Sequence, residues 1–213
     1  MSFEHIIWDW NGTLLDDVDL AIHSMNLIMA DKKMNPLSKK EYFKHFGFPV
    51  SDYYRKIGFD LEQESMEELS DFFVTNYRNH LHMTGLHHRV DKTLKNFSEN
   101  GLTQSILSAA EQNGLHEIVK HFGIREYFTD LVGLDDHQAK SKVERGQAWI
   151  KNQQINVDKT IMIGDTIHDY EVAKALGCHC ALVAHGHQPF ERLELQHGLV
   201  FKNLEEVEAF ILK

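Results

Sequence analysis

Three acidic residues and a serine stand where apolar runs break off. Asp9 follows Ile6-Ile7-Trp8, Ser108 follows the run from Gln104 to Leu107, and Asp165 follows Thr160 to Ile163 and a glycine, with Asp169 four residues further on. A buried strand that ends at a polar residue and turns sharply delivers that residue to its carboxyl end. In a parallel sheet those ends share one rim, so Asp9, Ser108 and Asp165 converge however far apart they lie in sequence. Carboxylates are the hard oxygen donors that Mg²⁺ takes, usually one or two of them together with substrate and water. Each residue also has a plainer reading. Asp165 and Asp169 suit a helix N-terminus, where the macrodipole favours acids, and Ser108 suits the cap of the helix that follows it.

Other chemistries fit the chain less well. Fifteen histidines include the pairs His80/His82, His87/His88 and His185/His187, but none has the clustered ligand set that zinc requires. His116 and His121 lie five apart, about 140° around a helix, so they cannot share a metal as an i, i+4 pair would. The two cysteines, Cys178 and Cys180, would alternate across a strand, where bridging is geometrically poor. They read as buried structural thiols. His168, between Asp165 and Asp169, reads as a loop histidine facing solvent.

The elements that must position these groups follow from the patterning. From about Asp16 to Met83 the chain reads as helices only. Asp17 can cap a helix carrying Ile22, Met25 and Met29, Ser38-Lys39-Lys40-Glu41 is a capping box opening a second, and Glu62 to about His82 is a long amphipathic helix. From His88 onward helix and strand alternate, with strands at Gln104–Leu107, Asp130–Leu134, Thr160–Ile163 and Cys180–Ala184, and an edge strand at Leu199–Phe201. That alternation is the signature of an α/β, doubly wound parallel sheet with crossover helices. The expected organisation is a Rossmann-like core from residues 1–15 and 84–213, with residues 16–83 inserted after the first strand.

At 213 residues with 42% apolar content and three prolines, the chain can bury a sizeable core together with an insertion. A formal charge of −10 argues against nucleic acid or an anionic membrane as partner. The same field means that a phosphate substrate needs a cation beside it. No run approaches membrane-spanning length and no basic-then-apolar segment opens the sequence, so the chain reads as a soluble cytoplasmic protein. Monomer and dimer both remain open.

The stretch Asp9-Trp10-Asn11-Gly12-Thr13-Leu14 closely resembles the first motif of the haloacid-dehalogenase-like hydrolases, whose phosphatase members usually carry Asp-x-Asp-Gly-Thr-Leu. Gly164-Asp165-Thr166-Ile167-His168-Asp169 resembles the family's Gly-Asp-x-x-x-Asp, and the order of motifs looks most like the phosphoglycolate phosphatase subgroup. The resemblance implies a Mg²⁺-dependent hydrolase of small phosphorylated metabolites, with a helical cap domain over the core. Asp9 would be the nucleophile that takes up the phosphoryl group. Asp9, Asp165, the backbone carbonyl of Asn11 and, directly or through water, Asp169 would hold the metal. Ser108, Ala109 and the amides of Gly12 and Thr13 would bind phosphate oxygens. A lysine at the start of the next helix would pair with nucleophile and phosphate. Lys142 is preferred to Lys140 because it leads directly into that helix, although the family's usual proline does not follow it.

The departure is Asn11, where the family carries the acid that moves protons. It keeps two other classes open. One is a phosphatase-like protein that binds a phosphometabolite and turns over poorly. The other is carbon–phosphorus or carbon–halogen cleavage, the former needing a Schiff-base lysine for which Lys32, Lys33, Lys39, Lys40, Lys44 and Lys56 are candidates.

Overall fold

A computed structural model describes residues 2–134, 142–196 and 198–213. The chain forms two compact units, one from Met1–Leu15 with Leu86–Lys213, the other Asp16–Gly85. In the first, β1 (His5–Trp8) is the middle of the sheet, and Ile6, Ile7 and Trp8 are fully buried. A strand covered on both faces must be apolar throughout, which is why this run does not alternate with polar residues. Each such side chain contributes roughly 2 kcal/mol by leaving water.

The chain leaves this unit through β2 (Leu15–Asp16) and returns through β3 (Gly85–Leu86), two short strands that form a small sheet of their own. Then come β4 (Thr103–Glu111), β5 (Asp130–Leu134), β6 (Thr160–Gly164), β7 (His179–Val183) and β8 (Val200–Phe201). The six-stranded sheet runs in the order β5-β4-β1-β6-β7-β8, with parallel pairing throughout the ladders described. The chain winds outward to β5 on one side of β1, then crosses back to β6 and winds outward on the other. The point of reversal lies between β1 and β6, where ligands bind in sheets of this kind.

The helices of the second unit are α1 (Val18–Asp31), α2 (Lys39–His45), α3 (Val50–Lys56) and α4 (Met66–Asn79). The first unit adds α5 (Val90–Glu99), α6 (Gln112–His121), α7 (Lys142–Gln153), α8 (Ile167–Leu176), α9 (Phe190–Glu194) and α10 (Leu204–Ile211). Successive residues of a strand face opposite ways. Accordingly Ile7 packs with Trp149 of α7 and Val172 and Leu176 of α8, whereas the Trp8 ring meets Phe97 of α5 on the other face. Both faces of the sheet are therefore covered by helix.

Several expectations are corrected in detail. Asp17 occupies the N-cap position of α1, but its side chain makes no capping bond and instead accepts the Tyr77 hydroxyl at 2.6 Å. The long helix begins at Met66, where Ser65 caps it, and ends at Asn79. Ser38 and Glu41 do form the capping box. Most consequential for the site, β4 runs on to Glu111, and Ser108 does not cap α6, because Glu111 does so by accepting the amides of Asn113 and Gly114. Between Leu107 and Glu111 the pairing with β5 shifts register. The Gln112 side chain fills that gap, donating to the Leu131 carbonyl and accepting the Gly133 amide. Such a bulge re-aims residues at a sheet rim.

Candidate active site

Parallel register sets the site. His5 to Trp8 align with Thr103 to Ile106 of β4 and with Thr160 to Ile163 of β6, and the Asp9 amide continues the ladder to the Ile163 carbonyl at 2.8 Å. Asp9, Ser108 and Asp165 thus stand at nearly one level along the sheet. Oxygens of Asp9, Asp165 and Asp169 lie within 4.8 Å of one another, and among the described residues this is the group of His, Cys, Asp or Glu side chains placed to hold an ion.

Lys142, in the first turn of α7, reaches the same point. Its ammonium donates to Asp9 Oδ1 and, at 2.7 Å, to Asp169 Oδ1, and all three side chains are buried. Lys140 lies outside the described residues. The other Asp169 oxygen accepts the hydroxyl and the amide of Thr166, a capping box that opens α8. Asp169 therefore caps its helix and anchors the lysine at once. Thr13, fully buried, directs its hydroxyl to Asp165 Oδ1 at 3.1 Å and, more distantly, to Asp9 Oδ2 at 3.4 Å.

The electrostatics follow from three buried acids, two of which, Asp9 and Asp169, share the Lys142 cation. Burial raises the Asp9 carboxyl from 3.8 to about 6, with the Asp169 charge adding to it and Lys142 opposing. Burial also raises Asp165 to about 8, opposed by His187 and reinforced by Asp169 and Asp9. Burial pushes Asp169 upward too, but the charge and hydrogen bond of Lys142 outweigh it and hold this carboxyl below its usual value. The lysine is stabilised as a cation by Asp169 and Asp9 against the effect of its own burial. Excess negative charge held out of water is the condition a divalent cation relieves.

Ser108 is buried, and its Oγ accepts the Ala110 amide at 3.0 Å, which leaves the hydroxyl proton to be donated elsewhere. Ala109 is exposed on the bulge. Asn11 is half-buried and bridges to Leu15. The Gly12 and Thr13 amides, expected as phosphate donors, are instead committed within the loop, to the Leu15 carbonyl at 2.9 Å and the Trp10 carbonyl at 3.3 Å. His168 faces Glu171 at 3.4 Å on the surface side of α8. Both cysteines are free, and burial raises their thiols.

Sequence reasoning missed the turn after β7. The His187 amide donates to Asp165 Oδ2, the His185 Nε2 lies 2.9 Å from the Thr13 carbonyl, and Gln188 accepts the Ile167 amide at the start of α8. Gly186 passes so close that a Cβ there would collide with the Asp165 carboxylate and the Gly12 carbonyl. Gly12 itself has φ +75°, and a Cβ on it would strike Asp165 and His187. Replacing Gly186 by alanine should overpack the site by about 1–3 kcal/mol. At roughly 2–4 °C per kcal/mol for a chain of this size, a calorimetric melt should show a fall of several degrees; an unchanged melt would mean the turn yields freely.

A family model of haloacid dehalogenase-like hydrolases matches residues 6–183. The chain belongs to that family. Its similarity to individual relatives is lower but extends over most of both chains. The hydrolase is 26% identical to the pyrophosphatase PpaX of Halalkalibacterium halodurans, over 87% of this chain and 85% of that one. It is 25% identical to the phosphoglycolate phosphatase of Vibrio parahaemolyticus, over 81% and 80%. In fold the hydrolase is similar to a haloacid dehalogenase-like family hydrolase from Streptococcus pneumoniae, with a TM-score of 0.82, 19% identity and 98% of each chain covered. No described helix is long and apolar enough to cross a membrane.

Proposed function

We propose that this hydrolase is a Mg²⁺-dependent phosphatase of small phosphorylated metabolites, acting through an aspartyl-phosphate on Asp9. The observation that carries the reading is the buried cluster in which Lys142 joins Asp9 to Asp169 while Asp165 stands within ion-binding distance of both. The named relatives, a pyrophosphatase and a phosphoglycolate phosphatase, supply the substrate class.

An all-oxygen donor set of three carboxylates, two of them shifted upward, fits Mg²⁺ better than a softer metal. Asp9, Asp165 and the Asn11 carbonyl would hold the ion. Asp169, whose oxygens are engaged by Lys142 and Thr166, would hold it directly or through water. Bound there, the metal would neutralise charge on the transferring phosphoryl group. An oxygen of Asp9 attacks phosphorus, the bond to the leaving oxygen breaks, and the phosphoryl group becomes a mixed anhydride with Asp9. Lys142, the Ser108 hydroxyl and the Ala109 amide stabilise the phosphoryl oxygens, as transfer of this group mainly requires. Water then attacks phosphorus, releases phosphate and restores the carboxylate. In this account residues 16–83 form the helical cap domain.

The test is hydrolysis with and without Mg²⁺ over aryl and acyl phosphates, pyrophosphate, phosphoglycolate and nucleotides. Metal-dependent turnover supports the reading. Silence with the metal bound would favour the second reading, a phosphometabolite-binding protein, which Asn11 motivates. Carbon–phosphorus cleavage finds no support in the second unit. All six candidate lysines there are exposed, with Lys32 and Lys39 paired to Glu64 and Asp19, whereas a Schiff-base lysine is activated by desolvation or a neighbouring cation.

Two further results are expected. Asp165→Asn should weaken Mg²⁺ binding, so that part of the lost rate returns at high metal concentration; unchanged affinity by calorimetry would misplace the ion. In the metal-free protein, Asp9 and Asp165 keep protons up to about 6 and 8, above the usual 3.8. The folded state then binds more protons than the unfolded one across that window, and their contribution to stability is lost as pH rises through it. Metal must displace those protons. Mg²⁺ affinity should therefore be higher at pH 8 than at pH 6, with proton release visible as a buffer-dependent binding enthalpy.

A further inference from the structure

We propose that His185 is a positioning residue, which fixes the Asp9 loop against Asp165 through the Thr13 carbonyl. A carbonyl oxygen only accepts, so the 2.9 Å contact requires the proton on His185 Nε2. Thr13 is fully buried, and this imidazole is the partner of its carbonyl among the described residues. The other end of Thr13 is its hydroxyl, held between Asp165 and Asp9. Rotation of the residue would thus move the group that spaces the two carboxylates.

The ring that holds this carbonyl is itself held. His87 stacks on His185 with centroids 3.8 Å apart and planes 11° from parallel. The backbone amide of the same His87 donates to the next carbonyl of the loop, that of Leu14, at 2.9 Å. Two consecutive carbonyls are therefore gripped by two stacked histidines. Two residues further on, the His187 amide grips Asp165, so one short turn locates both acids. Inside the loop, the amides of Thr13, Leu14 and Leu15 all point to the Trp10 carbonyl. That closure depends on the peptide planes His185 and His87 hold, and it gives the proposal a readout needing neither metal nor substrate.

The proposal extends the phosphatase reading without depending on it. The experiment compares the wild type with His185→Leu, which removes the donor, and His185→Gln, whose amide nitrogen reaches where Nε2 stood. Hydrogen exchange of residues 10–15 is read on the ligand-free protein, and kcat and KM are read for an aryl phosphate with Mg²⁺. Leucine should speed exchange at Thr13 to Leu15 and lower kcat about ten- to a hundredfold, the scale of a misplaced reacting group, with little change in KM. Glutamine should restore slow exchange and the greater part of kcat. Wild-type exchange in the leucine variant, or equal losses in both variants, would overturn the proposal. If the wild type hydrolyses nothing, the phosphatase reading fails, and the exchange data alone still decide the role of His185.

Discussion

Asp9→Asn should abolish turnover on every phosphate ester while leaving the fold in place, a loss of about 10⁴-fold or more, as when a covalent nucleophile is removed. The carboxamide oxygen can still accept from Lys142, and Lys142 keeps its bond to Asp169, so the buried ammonium is not stranded. Burial, and after it the Asp169 charge, raise the Asp9 carboxyl, and a neutral side chain at position 9 escapes both penalties. Circular dichroism and a thermal melt close to wild type, with hydrolysis at background, are the expected outcome. Substantial residual turnover in purified protein would remove Asp9 from its role.

Asn11→Asp should have the largest effect in the opposite direction. A positioned general acid or base is worth about 10²–10⁴ in rate, and it matters most when the leaving oxygen must be protonated as its bond breaks. An asparagine amide cannot supply that proton. The wild type should therefore favour aryl phosphates, acyl phosphates and pyrophosphate over alkyl phosphates. A new acid at position 11 would join Asp9, Asp165 and Asp169, and like charges nearby raise a carboxyl towards neutrality, which suits a proton donor. Alkyl-phosphate hydrolysis should rise by roughly 10²-fold, well beyond the gain on an aryl ester. Faster hydrolysis of the intermediate would raise both substrates alike, and burst kinetics separates the two effects. No gain on any alkyl ester, with Mg²⁺ still bound, would mean that Asn11 does not limit catalysis.

What could be read from the sequence was what strand ends dictate. Asp9, Asp165 and Asp169 were legible because apolar runs stop at them and parallel strands share a rim. Lys142 is preferred to Lys140 for its place at the start of the helix; its Nζ does reach both Asp9 and Asp169, while Lys140 lies outside the described residues. The behaviour of Asp17 was hidden because its partner, Tyr77, lies sixty residues away, and capping propensity sees only neighbours. The bulge at Ser108 was hidden because Ala109 and Ala110 look alike whether paired or not, and the side chain that fills the gap belongs to Gln112. The turn from His185 to Gln188 left little signal. Its work on Asp165 is done by a backbone amide and by the missing side chain of Gly186, and the histidines beside them invited a zinc reading instead.

The most direct test of the account is to trap the intermediate. The protein would be mixed with Mg²⁺ and an acyl or aryl phosphate, quenched, and reduced with borohydride, which converts an aspartyl phosphate to homoserine. Peptide mass spectrometry should find that conversion at position 9 alone, and Asn11 should prolong the intermediate enough for it to accumulate. Metal-dependent turnover with position 9 unmodified, or with the modification at Asp165 or Asp169, would contradict the account.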